Sequence, residues 1–116
     1  IPAKGNIICI CSSMKDALCL WCNTGIPSIA IQGEGYSISD TALNNLKKRY
    51  QKILVCFDND KAGLEDAIKF SKDTNAINVI LPLFEGGKDI SDYYYLYGKK
   101  QFQKVISNLF KEKIAG

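Results

Sequence analysis

Four short apolar runs alternate along the chain with longer segments whose apolar residues recur at helical spacing. The runs are nearly continuous in apolar residues, which is typical of strands buried on both faces, and they cover Asn6–Cys11, Pro27–Gln32, Ile53–Phe57 and Ile77–Leu81. The segments between and after them predict helices over Met14–Asn23, Asp40–Gln51, Ala62–Thr74, Asp89–Tyr97 and Lys99–Lys113. We expect Gly25 to end the first helix and Gly98 to break the last helical region.

The alternation of buried strands with amphipathic helices predicts an α/β fold: a parallel four-stranded sheet flanked by helices, of Rossmann-like type. Ligands of such sheets bind beyond the carboxyl ends of the strands. Four loops are predicted to lie at that edge, and acidic and glycine residues gather in them: Ser12–Ser13, Gly33–Gly35, Asp58–Asp60 and Gly86–Asp92.

Length and composition are those of one globular domain, with 116 residues of which 47% are hydrophobic and 23% charged. We therefore expect residues 1–116 to form a single domain, and the opening Ile1 indicates excision from a larger protein. No apolar run approaches the roughly 20 residues of a membrane helix, so we expect no membrane partner. The net charge of +3 permits a polyanionic partner without requiring one.

The chain contains no histidine, which excludes imidazole catalysis and histidine-ligated metals. Its five cysteines are an odd number without a secretory segment, which argues against disulfides and predicts a cytoplasmic, intracellular protein. The spacing of Cys9, Cys11, Cys19 and Cys22 would also suit zinc. Because these cysteines fall within strand and helix patterns, the spacing favours buried core residues instead.

Two carboxylates leave the end of the third predicted strand as Asp58 and Asp60. Alternate residues of an extended segment point the same way, so both side chains can face one hard divalent ion. Mg²⁺ prefers oxygen ligands and commonly takes one or two carboxylates. Asp16 in the first turn of the first helix, and Asp89 in the fourth loop, bring further acid to the same edge. Solvated turn residues and helix caps are the alternative explanation for each of them.

Two stretches resemble motifs of the Toprim domain, which primases, topoisomerases and some nucleases share, and the primase branch is the most similar. Phe57–Gly63 resembles the Asp-x-Asp-x-Ala-Gly motif that follows a strand, and Gly87–Tyr93 resembles the Gly-Lys-Asp-x-x-Asp-Tyr motif. The resemblance extends roughly from Asn6 to Leu109. It implies the metal-binding half of the RNA polymerase core of a bacterial or phage-type DNA primase.

The implied activity is nucleotidyl transfer, in which ribonucleotides are joined on a DNA template into a short RNA primer. Asp58, Asp60 and Asp89 would hold Mg²⁺ or Mn²⁺ as the cofactor. The partners implied are template DNA and nucleoside triphosphates, and a replicative helicase is a further partner that the resemblance allows. Residues placed to meet nucleotide phosphates are Lys15, Lys61, Lys88 and Ser12.

One position departs from the family. Where the family has glutamate in Glu-Gly-x-x-Asp, this chain has Ser12, although the aspartate is kept as Asp16. Serine cannot replace a carboxylate as metal ligand or proton carrier at neutral pH. Glu34, in the glycine loop after the second strand, is the candidate substitute, and we expect it to join Asp58, Asp60 and Asp16 as a catalytic residue.

Several other functions stay open at the level of the sequence. The loss of the family glutamate at Ser12 is compatible with a silent Toprim domain that only binds nucleic acid or docks a partner. A Toprim nuclease shares the fold, and Phe57–Asp60 also resembles the first motif of haloacid-dehalogenase-type phosphatases. A primase active site needs a template-binding part that 116 residues do not accommodate, so we expect the isolated domain to be inactive.

Overall fold

The computed structural model of the chain describes residues 5–31, 39–82 and 86–115. Four parallel strands form one sheet in the order β2-β1-β3-β4. The strands are β1 (Gly5–Cys11), β2 (Ser28–Ala30), β3 (Tyr50–Cys56) and β4 (Ile77–Asn78). The helices are α1 (Met14–Thr24), α2 (Asp40–Arg49), α3 (Lys61–Thr74) and α4 (Ile90–Ala115), the last interrupted at Gly98. The predicted fold class is confirmed.

The two faces of the central strands enter different apolar cores. In β1, Ile8 and Ile10 pack with α2 and α3, whereas Cys9 and Cys11 pack with α1 and α4. The same alternation divides β3, because successive side chains of a strand point to opposite faces of its sheet. The result is a sheet covered by helices on both sides, which is why its strands are apolar throughout.

The carboxyl ends of β1 and β3 lie side by side at the centre of this sheet. Cys11 and Cys56, the last residues of the two strands, are register partners. The chain leaves β1 toward β2 at one edge of the sheet and leaves β3 toward β4 at the other. Such a reversal of strand order opens a crevice at the carboxyl edge, where α/β proteins bind their ligands.

The helices begin and end at residues that can cap them. Ser13 caps α1 by accepting a hydrogen bond from the amide of Asp16, and Ser39 caps α2 through the amide of Ala42. Gly25 ends α1 at a positive φ of 74°, and Gly98 interrupts α4 at a φ of 84°, so both predicted breaks are confirmed.

Some predicted boundaries were wrong. The second helix ends at Arg49, because Tyr50 is already extended and pairs with Gly5 as the first residue of β3. β4 stops at Asn78 although Val79 still donates its amide to the Val55 oxygen. Beyond the strand Val79 and Leu81 are buried in an irregular segment, whereas Ile80 is exposed.

The apolar spacing predicts buried stripes that differ from the observed ones on two helices, namely Ala17, Leu18, Trp21 and Cys22 on α1 and Ala67, Ile68 and Phe70 on α3. On α1 the buried residues are Asp16, Ala17 and Leu20, which leaves Leu18 and Cys22 exposed. On α3 Ile68 is exposed, because the buried stripe continues from Ala67 to Phe70 and Thr74 on the neighbouring face. Cys9, Cys11 and Cys56 are buried free thiols. The predicted core position is therefore confirmed for Cys9 and Cys11, whereas Cys19 is half-buried and the prediction for Cys22 was wrong, because Cys22 is exposed. No helix in the described ranges is long and apolar enough to span a bilayer.

Candidate metal centre

Three carboxylates from three separate segments converge at the crevice between β1 and β3. Asp16 lies in the first turn of α1, Asp58 follows β3, and Asp89 precedes α4. One oxygen of each lies within 4.8 Å of an oxygen of the other two. Like charges at this separation repel one another, so this arrangement suits a bound cation.

Asp16 is the deepest of the three, with only 2% of its surface exposed. Its Oδ1 accepts hydrogen bonds from the amide of Ser91 at 3.0 Å and from the Ser91 hydroxyl at 2.8 Å. Its Oδ2 accepts from the hydroxyl of Ser13 at 3.0 Å. A buried carboxylate needs such partners, and here they also join the start of α1 to the start of α4.

Asp58 stands between a serine and a lysine. Its Oδ1 accepts a hydrogen bond of 2.9 Å from the hydroxyl of Ser12, and its Oδ2 lies 4.0 Å from the Nζ of Lys88. Burial raises the pKa of Asp58, the hydrogen bond from Ser12 opposes this, and the charge of Asp16 adds to it. Ser12 therefore contacts the central carboxylate without adding a negative charge.

Asp60 has a different environment from Asp58. It caps α3, its Oδ1 accepting a 2.7 Å hydrogen bond from the amide of Gly63, and its Oδ2 lies 3.1 Å from the Nζ of Lys88. The amide of Gly63 and then the hydrogen bond to Lys88 lower the pKa of Asp60. Of the three predicted metal ligands, the structure thus brings Asp58 and Asp89 together in the cluster, whose third member is Asp16. Asp60, the other predicted ligand, lies beside the cluster.

Asp89 immediately precedes α4 and is a member of the cluster. Its Oδ1 accepts a 2.7 Å hydrogen bond from the amide of Asp92, and its Oδ2 lies 3.7 Å from the Nζ of Lys15. Burial raises the pKa of Asp89, the hydrogen bond from the Asp92 amide lowers it, and the charge of Asp16 raises it further.

The predicted phosphate-binding residues lie around the carboxylates at different distances. Lys88 and Ser12 line a cavity of about 210 Å³ together with Asp58 and Asp60. Lys15 reaches Asp89, and Lys61 is exposed at the first position of α3. Glu34 lies outside the described residues, so its predicted role as a substitute acid stays a prediction.

Three residues that sequence reasoning did not single out hold the site together. Asn59 donates its side-chain amide to the Leu81 oxygen at 2.6 Å and its backbone amide to the Lys88 oxygen at 2.5 Å. Ser91 is the double donor to Asp16. At Gly63 a Cβ would overlap the carbonyl oxygen of Asp58, which explains the glycine of the Asp-x-Asp-x-Ala-Gly motif. That motif was the one available sign of the close approach.

The donor set fits a hard divalent ion. All three ligand groups are carboxylates, and Mg²⁺ and Mn²⁺ prefer oxygen ligands. Asp58 and Asp89 are partly buried with raised pKa values, so their ionised forms are not fully stabilised by their surroundings. A bound cation would provide the missing stabilisation.

These pKa directions predict an unusual pH dependence for the metal-free protein. Since the folded-state pKa values of Asp58 and Asp89 are raised, both groups bind protons more tightly when folded, and stability should rise as the pH falls from 7 toward those values. The pKa of Asp60 is lowered instead. The stability that ionised Asp60 contributes is therefore lost only as the pH falls below the ordinary aspartate pKa of about 4. Urea unfolding between pH 7 and 3 with a chelator present would measure this, and a monotonic loss of stability on acidification would contradict it.

Comparison with known proteins agrees with this geometry. A sequence model of the family described as Toprim-like matches residues 9–94. The chain belongs to the Toprim-like family. The matched range includes all three carboxylates of the cluster, so the site described above lies inside the Toprim-like part of the chain.

This Toprim-like chain is similar to curated DNA primases, of which it spans less than a fifth. It is 29% identical over 114 residues to the DNA primase of Campylobacter jejuni, covering 97% of this chain and 18% of that protein. Over 86 residues it is 30% identical to the DNA primase of Thermotoga maritima, covering 72% of this chain and 15% of that protein.

Solved structures share the Toprim-like fold. A DNA primase domain from Pseudomonas aeruginosa superposes with a TM-score of 0.68 at 22% identity, over 90% of this chain and 33% of that one. A chain from the bacteriophage T7 complex of lagging-strand DNA polymerase with primase domains gives a TM-score of 0.62 at 16% identity, over 93% of this chain and 55% of that one. At these identities the likeness concerns the fold.

Proposed function

We propose that this chain is the metal-binding Toprim domain of a DNA primase and supports RNA primer synthesis by nucleotidyl transfer. The observation that carries the proposal is the cluster of Asp16, Asp58 and Asp89, whose oxygens lie within 4.8 Å of one another at the crevice of the sheet. The similarity to curated DNA primases supports the same function.

In this proposal Asp58 and Asp89 are the principal ligands of Mg²⁺ or Mn²⁺, and Asp16 joins the start of α1 to the start of α4 through Ser13 and Ser91 while adding its own charge. Asp60 stays at the cap of α3 and orients Lys88. When bound, the ion would neutralise charge on the triphosphate and stabilise the displaced pyrophosphate. The chain's own part is to hold the carboxylates in a fixed, partly buried geometry that needs no rearrangement when charge develops.

Lys15 and Lys88 flank the carboxylates, and Lys61 lies on the adjacent first turn of α3. Their ammonium groups are suited to the phosphates of a nucleoside triphosphate or of template DNA, which we propose as the partners. In the T7 complex the primase domains are bound to an RNA/DNA hybrid and dTTP. A cytoplasmic location and contact with a replicative helicase are consistent with such a role and belong to the same proposal.

The metal site can be tested on the chain itself by titrating Mn²⁺ and following the free-ion signal by electron paramagnetic resonance. We expect weak, saturable binding to one site, and Asp58→Asn should lower the affinity at least about tenfold because one anionic ligand is lost. Asp73→Asn is the matched control, since it removes the same charge from an exposed position near the end of α3. Equal binding by wild type and Asp58→Asn would refute the site.

Catalysis requires the remainder of a primase, so a chimaera is the appropriate test. The segment of the Campylobacter jejuni primase that matches this chain would be replaced by it, and metal-dependent primer synthesis measured. Activity that Asp58→Asn reduces at least about tenfold supports the proposal. A folded chimaera that binds Mn²⁺ but makes no primer, and regains synthesis with Ser12→Glu, would instead favour a catalytically silent domain.

A further inference from the structure

The side chain of Lys88 places a positive charge beside the carboxylates of Asp58 and Asp60. Its Nζ is 3.1 Å from the Oδ2 of Asp60 and 4.0 Å from the Oδ2 of Asp58. The ammonium of a lysine is charged at neutral pH, so these contacts pair one positive charge with two carboxylates. It therefore neutralises part of the site in the absence of metal.

The backbone of Lys88 is held independently of this side chain. Its amide donates to the Oδ2 of Asp92 at 3.0 Å, and its carbonyl accepts the amide of Asn59 at 2.5 Å. The side chain itself is 55% exposed. It can consequently leave the carboxylates without moving the loop and without exposing apolar surface.

A divalent ion at Asp58 and the ammonium of Lys88 compete for the same negative charge. Two cations separated by a few ångströms repel each other, so each must weaken the binding of the other. The cavity of about 210 Å³ that Lys88 lines together with Ser12 and Asp60 lies beside this ion pair. A phosphate group bound to the metal there would give the displaced ammonium a new anionic partner.

From this geometry we infer that Lys88 is an internal counter-ion, which the metal displaces and which then pairs with the phosphates of the incoming nucleotide. The inference rests on the proposed function and adds to it how the binding of the metal depends on the nucleotide. Metal alone binds weakly because it must displace Lys88. Metal together with a triphosphate binds well because the displaced ammonium then pairs with the phosphates. Lys88 is thus a positioning residue that couples the two ligands.

The test is the pair of affinities of Lys88→Met, which keeps the length and apolar stem of the side chain but removes its charge. Mn²⁺ alone should bind about five- to tenfold more tightly than to wild type, since the competing ion pair is gone. ATP titrated at saturating Mg²⁺ should bind at least about fivefold more weakly, since its phosphates have lost a cation. Lys69→Met, an exposed lysine of α3, is the control for net charge and should change either affinity less than twofold.

The opposite directions of the two effects separate this role from a structural one, because damage to the site would weaken both ligands. Unchanged or weaker Mn²⁺ binding by Lys88→Met overturns the inference, and so does unchanged ATP binding. These outcomes leave the proposed function standing as long as Mn²⁺ binding still depends on Asp58. If wild type and Asp58→Asn bind Mn²⁺ alike, the proposed metal site fails, and the inference fails with it.

Discussion

Replacing Asp89 with asparagine is expected to remove most of the affinity for divalent metal while making the metal-free protein more stable. Asparagine accepts the hydrogen bond from the amide of Asp92 as well as aspartate does, so the start of α4 is preserved. What is lost is one negative charge among three whose oxygens lie within 4.8 Å. We expect Mn²⁺ affinity to fall at least about 30-fold, or about 2 kcal/mol.

The gain in stability has the same origin. Asp89 is partly buried, with 13% of its side chain exposed, and burial raises its pKa, so its ionised form is costly when no metal is present. Removing it should raise the melting temperature in chelator by roughly 3 °C, the scale of about half a kcal/mol in a domain of this size. Added Mg²⁺ should then stabilise wild type but not the variant.

Asp92→Asn provides the matched control for both measurements. It makes the same substitution on the same turn of α4, and the remaining amide oxygen can still accept from the amide of Lys88. Because Asp92 is not a member of the three-carboxylate cluster, its metal affinity should change less than threefold. An Asp89→Asn protein that binds Mn²⁺ as wild type does, or that melts at a lower temperature in chelator, would contradict this account.

Asp16→Ala is expected to have the largest effect on stability. Three hydrogen bonds reach this carboxylate, two from Ser91 and one from Ser13, and at 2% exposure water cannot replace them. Leaving buried donors unpaired costs about 1–3 kcal/mol. Relief of repulsion with Asp58 and Asp89 offsets part of this, and we expect a net loss of about 2 kcal/mol in urea unfolding.

Asp16→Asn distinguishes the hydrogen bonds from the charge. Its amide oxygen can accept both bonds from Ser91, and its amide nitrogen can donate to the hydroxyl of Ser13, so its loss of stability should be less than half that of alanine. Ser91→Ala, which removes one of the three donors, should cost about 1 kcal/mol. If Asp16→Ala unfolds at the same urea concentration as wild type, the carboxylate does not join the two helices.

Much of the fold follows from local pattern. The continuous apolar run of β1 and the same character in β3 identify buried parallel strands, and parallel strands bring their carboxyl-end loops together. This is why Asp16, Asp58 and Asp89 could be assigned to one edge before their contacts were known. The boundaries were less predictable, because Tyr50 leaves a helix and enters a strand without an intervening loop, and only its pairing with Gly5 reveals this.

The inner arrangement of the site could not be predicted, because it depends on contacts between distant segments. The rule that alternate residues face alike grouped Asp58 with Asp60, but the hydrogen bond from the amide of Gly63 ties Asp60 to the cap of α3. The contact between Ser91 and Asp16 spans 75 positions of sequence, and the residues around Ser91 do not indicate it. The buried face of α1 was mispredicted for the same reason, because contact with the distant helix α4 decides which side chains of α1 are buried.

Asn59 has a consequence for how two carboxylates of the cluster keep their spacing. Its side-chain amide donates to the Leu81 oxygen and its backbone amide donates to the Lys88 oxygen, so the exit of β3 is tied to two later points of the backbone. Asp58 precedes Asn59 in the chain and Asp89 follows Lys88. The hydrogen bond between the Asn59 amide and the Lys88 oxygen joins two backbone groups, so the spacing of these two carboxylates is set by the backbone before any ion or side-chain charge acts on it.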